Sequence, residues 1–362
     1  MKERRHLALV LIVAAACTGP HPAPAASGPP HSSPSPTALS SPVQMDELVL
    51  TADFSEPAAQ WQRVVFLPFG SHREQLGLKQ FPESPSSLPS AFAIDVDGSI
   101  WIADRWKSRL AHFSAAGAYL GEIPLGPGIR TEDLAMQGPD LLVITRVANG
   151  QLIVAQIGQE AKSLTLNDHG RAVVAVALAP SASGLTAETG GFSDALFGGT
   201  PSGPMGFAAV DLTTGQIRTL PGLPLRSDEY FSLREPALSG EQDVDLEFVG
   251  TNTVSVQPVH VDIRVGDQGR SRSIKGLAGF GELVRLDGDV CAFVRIAGVE
   301  SPNHQVAGTW LARFGRSPVV WERLPDRGIA DELQKRHIAA GPDGTLYLML
   351  AQKGGMEILR RP

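Results

Sequence analysis

The stretch Phe92-Ala93-Ile94-Asp95-Val96-Asp97-Gly98-Ser99-Ile100-Trp101-Ile102-Ala103-Asp104 decides how the chain is read. Asp97-Gly98 stands between two apolar runs. Asp-Gly in that position signals a hairpin, because glycine takes a positive φ without steric penalty. Ile100-Trp101-Ile102-Ala103 is apolar at every position rather than at alternate ones, so this strand is expected to be buried on both faces. Working outward, residues 105–108 form a short loop, 109–114 a third strand, Ala116-Gly117 a second turn and 119–125 a fourth strand.

The same unit returns along the chain in looser form. Asp343-Gly344-Thr345-Leu346-Tyr347-Leu348-Met349-Leu350 aligns with residues 97–104, and Leu286-Asp287-Gly288-Asp289-Val290-Cys291-Ala292-Phe293 has the same shape. Residues 138–144 and 250–256 are weaker copies. A spacing of about 40–55 residues suits propeller blades. Six units are counted, at 92–125, 133–166, 172–225, 243–277, 280–324 and 336–361. The last is one strand short, and the apolar strand at 62–69 is expected to pair with it and close the ring, removing an exposed edge. The expected fold is therefore all-β, a β-propeller of six four-stranded blades. A pair of β-sandwiches is the competing architecture; it explains the strands but not the matched Asp-Gly units. Gly (38) and Pro (28) are both abundant, as many short strands joined by turns require.

Residues 93–104 with Arg109-Leu110, Phe113 and Ala116-Gly117 resemble one NHL repeat, and Pro68-Phe69-Gly70 with Gln75-Leu76-Gly77 resembles the segment that precedes such a repeat. The close match covers about 60 residues. The resemblance implies four-stranded antiparallel blades, with Asp104 and Arg109 fixing the loop between them.

The N-terminus reads as an address. Lys2, Arg4 and Arg5 precede an apolar run at residues 7–16, which is too short to cross a membrane as a helix. Val13-Ala14-Ala15-Ala16-Cys17 resembles a bacterial lipobox, with Ala14 where leucine is more usual. That resemblance implies cleavage after residue 16 and palmitate-type acyl chains on Cys17. Each buried CH₂ adds about 0.8 kcal/mol, so two or three chains hold a protein to a membrane where one does not. The competing reading is an ordinary secretory signal with Cys17 incidental. Residues 18–43 are rich in Pro, Ser, Ala and Gly and lack the apolar surface to fold, so they read as an extended tether. The expected organisation is a signal peptide at 1–16, the lipidated cysteine and tether at 17–45, and the propeller at 46–362. The protein is expected outside the cytoplasm, anchored to the bacterial cell membrane, as a monomer.

Composition and motifs narrow the function. The formal net charge of −7 and the lack of clustered Lys and Arg argue against nucleic acid as a partner. No H-E-x-x-H, G-x-S-x-G, P-loop or G-x-G-x-x-G occurs, and the histidines show no metal-ligand spacing, so neither catalytic residues nor a cofactor nor a metal is expected. Cys291 lies inside an apolar strand and reads as a small buried hydrophobe. Asp243 and Asp245 alternate along a strand, and Glu132-Asp133 opens the second unit; both pairs read as solvated edge residues ahead of cation ligands. The blade-to-blade connections and the second-to-third strand loops share one face, where a ligand is expected. Arg105, Trp106 and Lys107 are the leading contact candidates on that face, with edge cover as the competing reading of Trp106. Asn303 and His304, in an expected long loop at 298–308, come second. The expected function is a tethered binding or scaffold module for a protein, glycan or small ligand. A metal-dependent hydrolase or lyase with its site at the channel is the alternative, by analogy of fold alone, and a purely structural envelope protein is the third.

Overall fold

The computed structural model describes the strand Asp46–Thr51 and most of residues 61–361. Residues 1–45, 52–60, 190–205, 235–242 and shorter stretches such as 147–151, 158–161 and 326–333 lie outside the described set, as do the side chains of several strands.

The Asp-Gly turns form as their chemistry requires. Gly98 has φ +78° and Gly344 φ +76°. In the first turn the Asp97 carboxylate accepts from the Ser99 amide at 2.9 Å, and Asp95 N–H donates to Ser99 O at 2.8 Å. In the second, Asp343 accepts from the Thr345 amide at 3.0 Å, and Gly341 N–H donates to Thr345 O at 2.7 Å. Two stretches matched only by sequence therefore share one hydrogen-bond pattern.

Each turn belongs to a four-stranded antiparallel sheet, and there are five such sheets among the described residues. The first holds Phe92–Ile94, Ile100–Asp104, Arg109–Phe113 and Tyr119–Pro124. The second holds Arg130–Gln137, Asp140–Arg146, Leu152–Ile157 and Lys162–Thr165. The third holds Ala175–Ser181, Gly184–Thr189, Gly206–Val210 and Ile217–Leu220. The fourth holds Gly276–Leu286, Asp289–Ser301, His304–Phe314 and Val320–Arg323. The fifth is built from both ends of the described chain. Ile338–Ala340, Leu346–Gln352 and Gly355–Arg360 take Gln62–Pro68 as their fourth strand, in register from Gln62 opposite Arg360 to Pro68 opposite Gly355. The closing strand thus pairs where the sequence places it.

The innermost strands touch in a closed cycle, Phe92–Ile94 to Arg130–Gln137 to Ala175–Ser181 to Gly276–Leu286 to Ile338–Ala340 and back. That is a propeller architecture. Six four-stranded blades, however, are not what the described residues show. The unit expected at 243–277 is replaced by a six-stranded sheet running from Leu223–Arg226 through Glu229–Arg234, Asp243–Gly250 and Val254–Asp267, with Arg270–Ser273 and Asp46–Thr51 on the last of these. Asp46–Thr51 joins it in parallel. The cycle passes directly from Ala175–Ser181 to Gly276–Leu286, so this wide sheet is not needed to close it. The physical reason lies in its strands. The segment lacks an Asp-Gly hairpin to stop pairing after five residues, and Val254–Asp267 runs on for 14. Pro224 has no N–H to give a ladder, which suits the edge position of Leu223–Arg226.

Side-chain alternation builds the core between sheets. Ile94, Ile100, Ile102 and Phe113 face the fifth sheet, packing with Leu67, Met349, Met356 and Ile358. Ala93, Trp101, Ala103 and Leu110 face the second, packing with Leu134, Leu141, Val143 and Ile153. Ile100–Ala103 is therefore buried on both sides, as its unbroken apolar run demands. A further cluster joins Cys291, Phe293 and Leu311 of the fourth sheet to Leu346, Leu348 and Leu359 of the fifth, and Cys291 is fully buried in it.

Candidate functional site: the loop face and the central cavity

Two places combine polar groups with surface. The first is the loop face carrying residues 105–107. Asp104, buried at the end of its strand, gathers this region. Its carboxylate accepts from Arg109 Nε at 2.9 Å, from Gly77 N–H at 3.1 and 3.2 Å, and from Lys107 N–H at 3.3 Å. Arg109 in turn donates to Arg73 O and Gln75 O at 2.5 Å each, and to Glu122 at 2.6 Å. Burial pushes the Glu122 carboxyl up, but hydrogen bonds from Arg109 and Tyr119 outweigh it and hold the group below its ordinary range. The resemblance gave Asp104 and Arg109 the task of fixing the loop, and these bonds carry it out.

Lys107 belongs to the same brace. Its ammonium reaches His72 O at 2.6 Å and Gln75 O at 2.8 Å, so it holds the segment before the first sheet. Burial and the neighbouring Arg109 push its pKa down. Arg105 is partly exposed. Trp106 is 48% exposed, with Lys79 Nζ 4.5 Å from its ring centroid. It lies against Gly77, where a Cβ would come within 2.8 Å of the Trp106 Cβ. Residues 298–308 are not a loop: Asp289–Ser301 and His304–Phe314 form one long hairpin, with Ser301 opposite His304. Valines at 299 and 306 favour the extended ladder. His304 therefore stands on a strand; its side chain, Asn303, Cys17 and the side chains of Asp243 and Asp245 lie outside the described residues.

The second place is the centre of the ring. A cavity of about 400 Å³ is lined by Ala93, Ala135, Leu178, Val284, Arg285 and Ala339, among others, so it draws on the innermost strand of each of the five sheets. Small alanines there leave the space open. Val96, Gly138 and Pro342, just beyond the downstream ends of these strands, also line it, and Val96 is 56% exposed. The cavity thus reaches the surface on the face opposite Trp106, not on the loop face where the sequence reading placed a ligand. Arg285, the penultimate residue of its strand, stands near this mouth.

The upstream end is closed by charge. Arg336 donates through Nε to Asp133 Oδ1 at 2.5 Å, through a second nitrogen to Asp133 Oδ2, and to Leu178 O at 2.8 Å. Asp133 also accepts from the amides of Leu134 at 2.8 Å and Leu178 at 2.6 Å. Both partners are buried, and 203 residues separate them. Asp133 is therefore a buried ion-pair partner, correcting its reading as a solvated edge residue. Glu132 beside it is also buried and pairs with Arg146 at 2.9 Å. Ser90 ties the same end together: its Oγ donates to Thr131 O at 3.0 Å, and its carbonyl accepts from Arg336 N–H at 3.0 Å.

One Ser–His contact on the downstream face has the look of a nucleophile and base. Ser99 Oγ lies 2.7 Å from His112 Nε2, beside Asp97. Ser99 is only 3% exposed and the His112 ring stacks on Trp101 at 3.9 Å, so the hydroxyl cannot meet a substrate and the contact braces the hairpin. Among the described residues, no group of three or more His, Cys, Asp or Glu side chains is placed to hold a metal.

No curated protein matches the chain in sequence. Solved structures resemble it only distantly. A gluconolactonase from Xanthomonas campestris is 10% identical with a TM-score of 0.45, over 85% of this chain and 99% of that one. A DUF4221 member from Bacteroides vulgatus is 12% identical with a TM-score of 0.43, over 84% and 97%. Virginiamycin B lyase from Staphylococcus aureus is 13% identical with a TM-score of 0.38, over 76% and 94%. Over residues 59–300, two thirds of its length, the sequence matches a family model, and the chain belongs to that family, described as Domain of unknown function (DUF7485).

Proposed function

We propose that this protein is an extracytoplasmic binding module: an NHL-like propeller, anchored through lipid on Cys17 and the Pro- and Ser-rich segment that follows it, whose ligand site is the central cavity. The observation that carries the reading is the cavity itself, about 400 Å³ at the centre of the ring, walled mostly by apolar residues and bearing arginine. Ligand pockets are concave, mostly apolar and supplied with a few polar groups, in the range of roughly 300–1,000 Å³. The anchoring part rests on Lys2, Arg4 and Arg5, the apolar run at 7–16 and the lipobox-like residues 13–17.

Two experiments test the parts separately. Fractionation of cells expressing the full chain and Cys17→Ala should place the first with membranes and release the second; equal distribution rejects the anchor. Melting with and without EDTA, then with added calcium or zinc, tests the module against a metal enzyme. An unchanged midpoint fits a metal-free binding site. A drop restored by one metal overturns it, since a ligand of the folded state raises the midpoint by mass action.

A further inference from the structure

The cavity wall is made of main chain as much as of side chains. Phe92, Ile94 and Ala340 line it, yet the Phe92 and Ile94 side chains are packed in the core between the first and fifth sheets. Those two residues therefore reach the cavity through their backbone. In an antiparallel ladder, successive residues turn their N–H and C=O to opposite sides. Ala91 and Asp95 turn theirs to the next strand: Ala91 O accepts from Ala103 N–H at 2.9 Å, and Asp95 N–H donates to Ser99 O at 2.8 Å. The main-chain groups of Phe92 and Ile94 consequently point away from the sheet. His337 and Gly341 bond outward in the same way, at 2.8 Å to Met349 and 2.7 Å to Thr345, which turns the groups of Ala340 inward. Phe92–Ile94 and Ile338–Ala340 are each the last strand of their sheet, so no ladder takes these groups up. The third sheet shows what such groups accept: Leu178 N–H donates to Asp133 and Leu178 O accepts from Arg336. Nearer the mouth, no side chain does the same for Phe92, Ile94 or Ala340 among the described residues. Arg285 and Arg336 are the only charged side chains in the described lining, and both are already engaged. What the cavity offers a ligand is therefore neutral: main-chain donors and acceptors beside alanines.

We propose that the central cavity binds a small uncharged peptide-like amide, its N–H and C=O pairing with the inward main-chain groups of Phe92, Ile94 and Ala340 and its apolar side chain lying against the alanines at 93, 135 and 339. The inference rests on the binding-module reading and adds the ligand's class. Addition of an extended segment to an open sheet edge draws its affinity from main-chain hydrogen bonds and its specificity from the side-chain pockets beside them. An amide is specified because it carries a donor and an acceptor at backbone spacing. A ligand without donors would cover the inward carbonyls and leave them unpaired, and a buried polar group without a partner is costly.

The test uses the full chain in detergent micelles, with N-acetyl-leucine methylamide as the probe and the same molecule methylated on both amide nitrogens as a counterpart without donors. Binding is read by ligand-detected NMR titration and by the melting midpoint. On the unaltered chain the probe should bind about tenfold more tightly than its counterpart, the effect of one or two hydrogen bonds. Ala340→Pro removes an inward N–H and no ladder bond, so it should cut affinity for the probe more than Ala340→Val, which adds bulk and keeps the N–H. Ala340→Phe, which fills the partly exposed wall, should weaken both molecules alike. If the counterpart binds as well as the probe and Ala340→Phe abolishes both, the main-chain inference falls while the cavity remains a ligand site. If neither molecule binds, or Ala340→Phe changes nothing, both the inference and the cavity-based reading fall. The comparison of the two molecules needs no variant, so a misfolded Ala340 substitution does not shield the proposal.

Discussion

Two buried aspartate–arginine pairs hold this molecule together, and they differ in reach. Asp104 and Arg109 are five residues apart on neighbouring strands of one sheet, and their bonds fix the segment at 70–77. Asp133 and Arg336 are 203 apart, and join the second and third sheets to the connection that leads into the fifth. The first pair forms as soon as its hairpin forms. The second exists only when the ring is complete. The local pair also keeps a spare partner, because Arg109 reaches Glu122 on the outer strand. The long-range pair joins Asp133 to Arg336 across the ring. Similar chemistry therefore serves two levels of organisation, the blade and the ring.

The largest effect should come from breaking the ring-level pair on one side only. Arg336→Met leaves the Asp133 carboxylate buried without its cation, which typically costs about 3–5 kcal/mol. Denaturant unfolding should show it as a lower midpoint. Asp133→Leu combined with Arg336→Met should recover most of the loss, since an apolar pair of similar volume is often neutral; a double variant as unstable as the single would mean that the Leu178 contacts, not the charges, carry the joint.

Next comes the blade-level pair. Asp104→Ala strips acceptors from Gly77, Lys107 and Arg109. A loss of about 2–3 kcal/mol is expected, smaller than for Arg336→Met because Glu122 still meets Arg109. Limited proteolysis sharpens the contrast: Asp104→Ala should open a cleavage site within residues 70–77, whereas Arg336→Met should raise susceptibility across the ring.

Gly98→Ala probes the turn without touching either pair. The Cβ would find open space, its nearest neighbour being Ala115 Cβ at 3.8 Å, so the penalty is that of φ +78° alone, about 1 kcal/mol. Thermal melting should show a shift of a few degrees with no change in proteolytic pattern.

The smallest effect is a pH dependence. Hydrogen bonds from Ser99 hold the Asp97 carboxyl below its ordinary value, and those from Thr345 do the same for Asp343. A folded-state pKa below the unfolded one contributes stability that is present above the unfolded value of about 3.9 and is lost as pH falls through the folded value. The deficit of Asp97→Asn or Asp343→Asn against the unaltered chain should therefore be visible at pH 7 and shrink below pH 4. A deficit that does not change with pH would show that the amide side chain spoils the turn for another reason.

What the sequence reveals follows the same division between local and long-range. The double burial of residues 100–103 is written in four consecutive apolar side chains, and the closing strand in a lone apolar run beside a unit one strand short. Asp104 and Arg109 sit at fixed positions in a repeat, so their roles can be carried over. Asp133 gives no such sign. An acidic residue at the start of a unit looks solvated until the ring brings Arg336 to it, and no local spacing encodes a partner 203 residues away. The cavity is equally silent, because Ala93, Ala135 and Ala339 look like ordinary strand residues until five innermost strands face one axis. The wide sheet went unread for the opposite reason: the segment at 243–277 alternates well enough to make strands but lacks the turn chemistry that sets their length.

The fifth sheet has one more consequence. Its outer strand, Gln62–Pro68, is synthesised long before its partner, Gly355–Arg360, with four other sheets of the ring between them in chain order. Closing so large a loop carries the greatest entropic penalty of any pairing in the ring, and topologies rich in such contacts fold slowly. Until those six residues arrive, the chain is an open arc with a bare strand edge at each end, a template for pairing with other chains. The seam therefore joins the two ends of the arc: a chain cut short before Gly355 retains most of its sheets yet presents two sticky edges, whereas one that carries Gly355–Arg360 hides both in a single step.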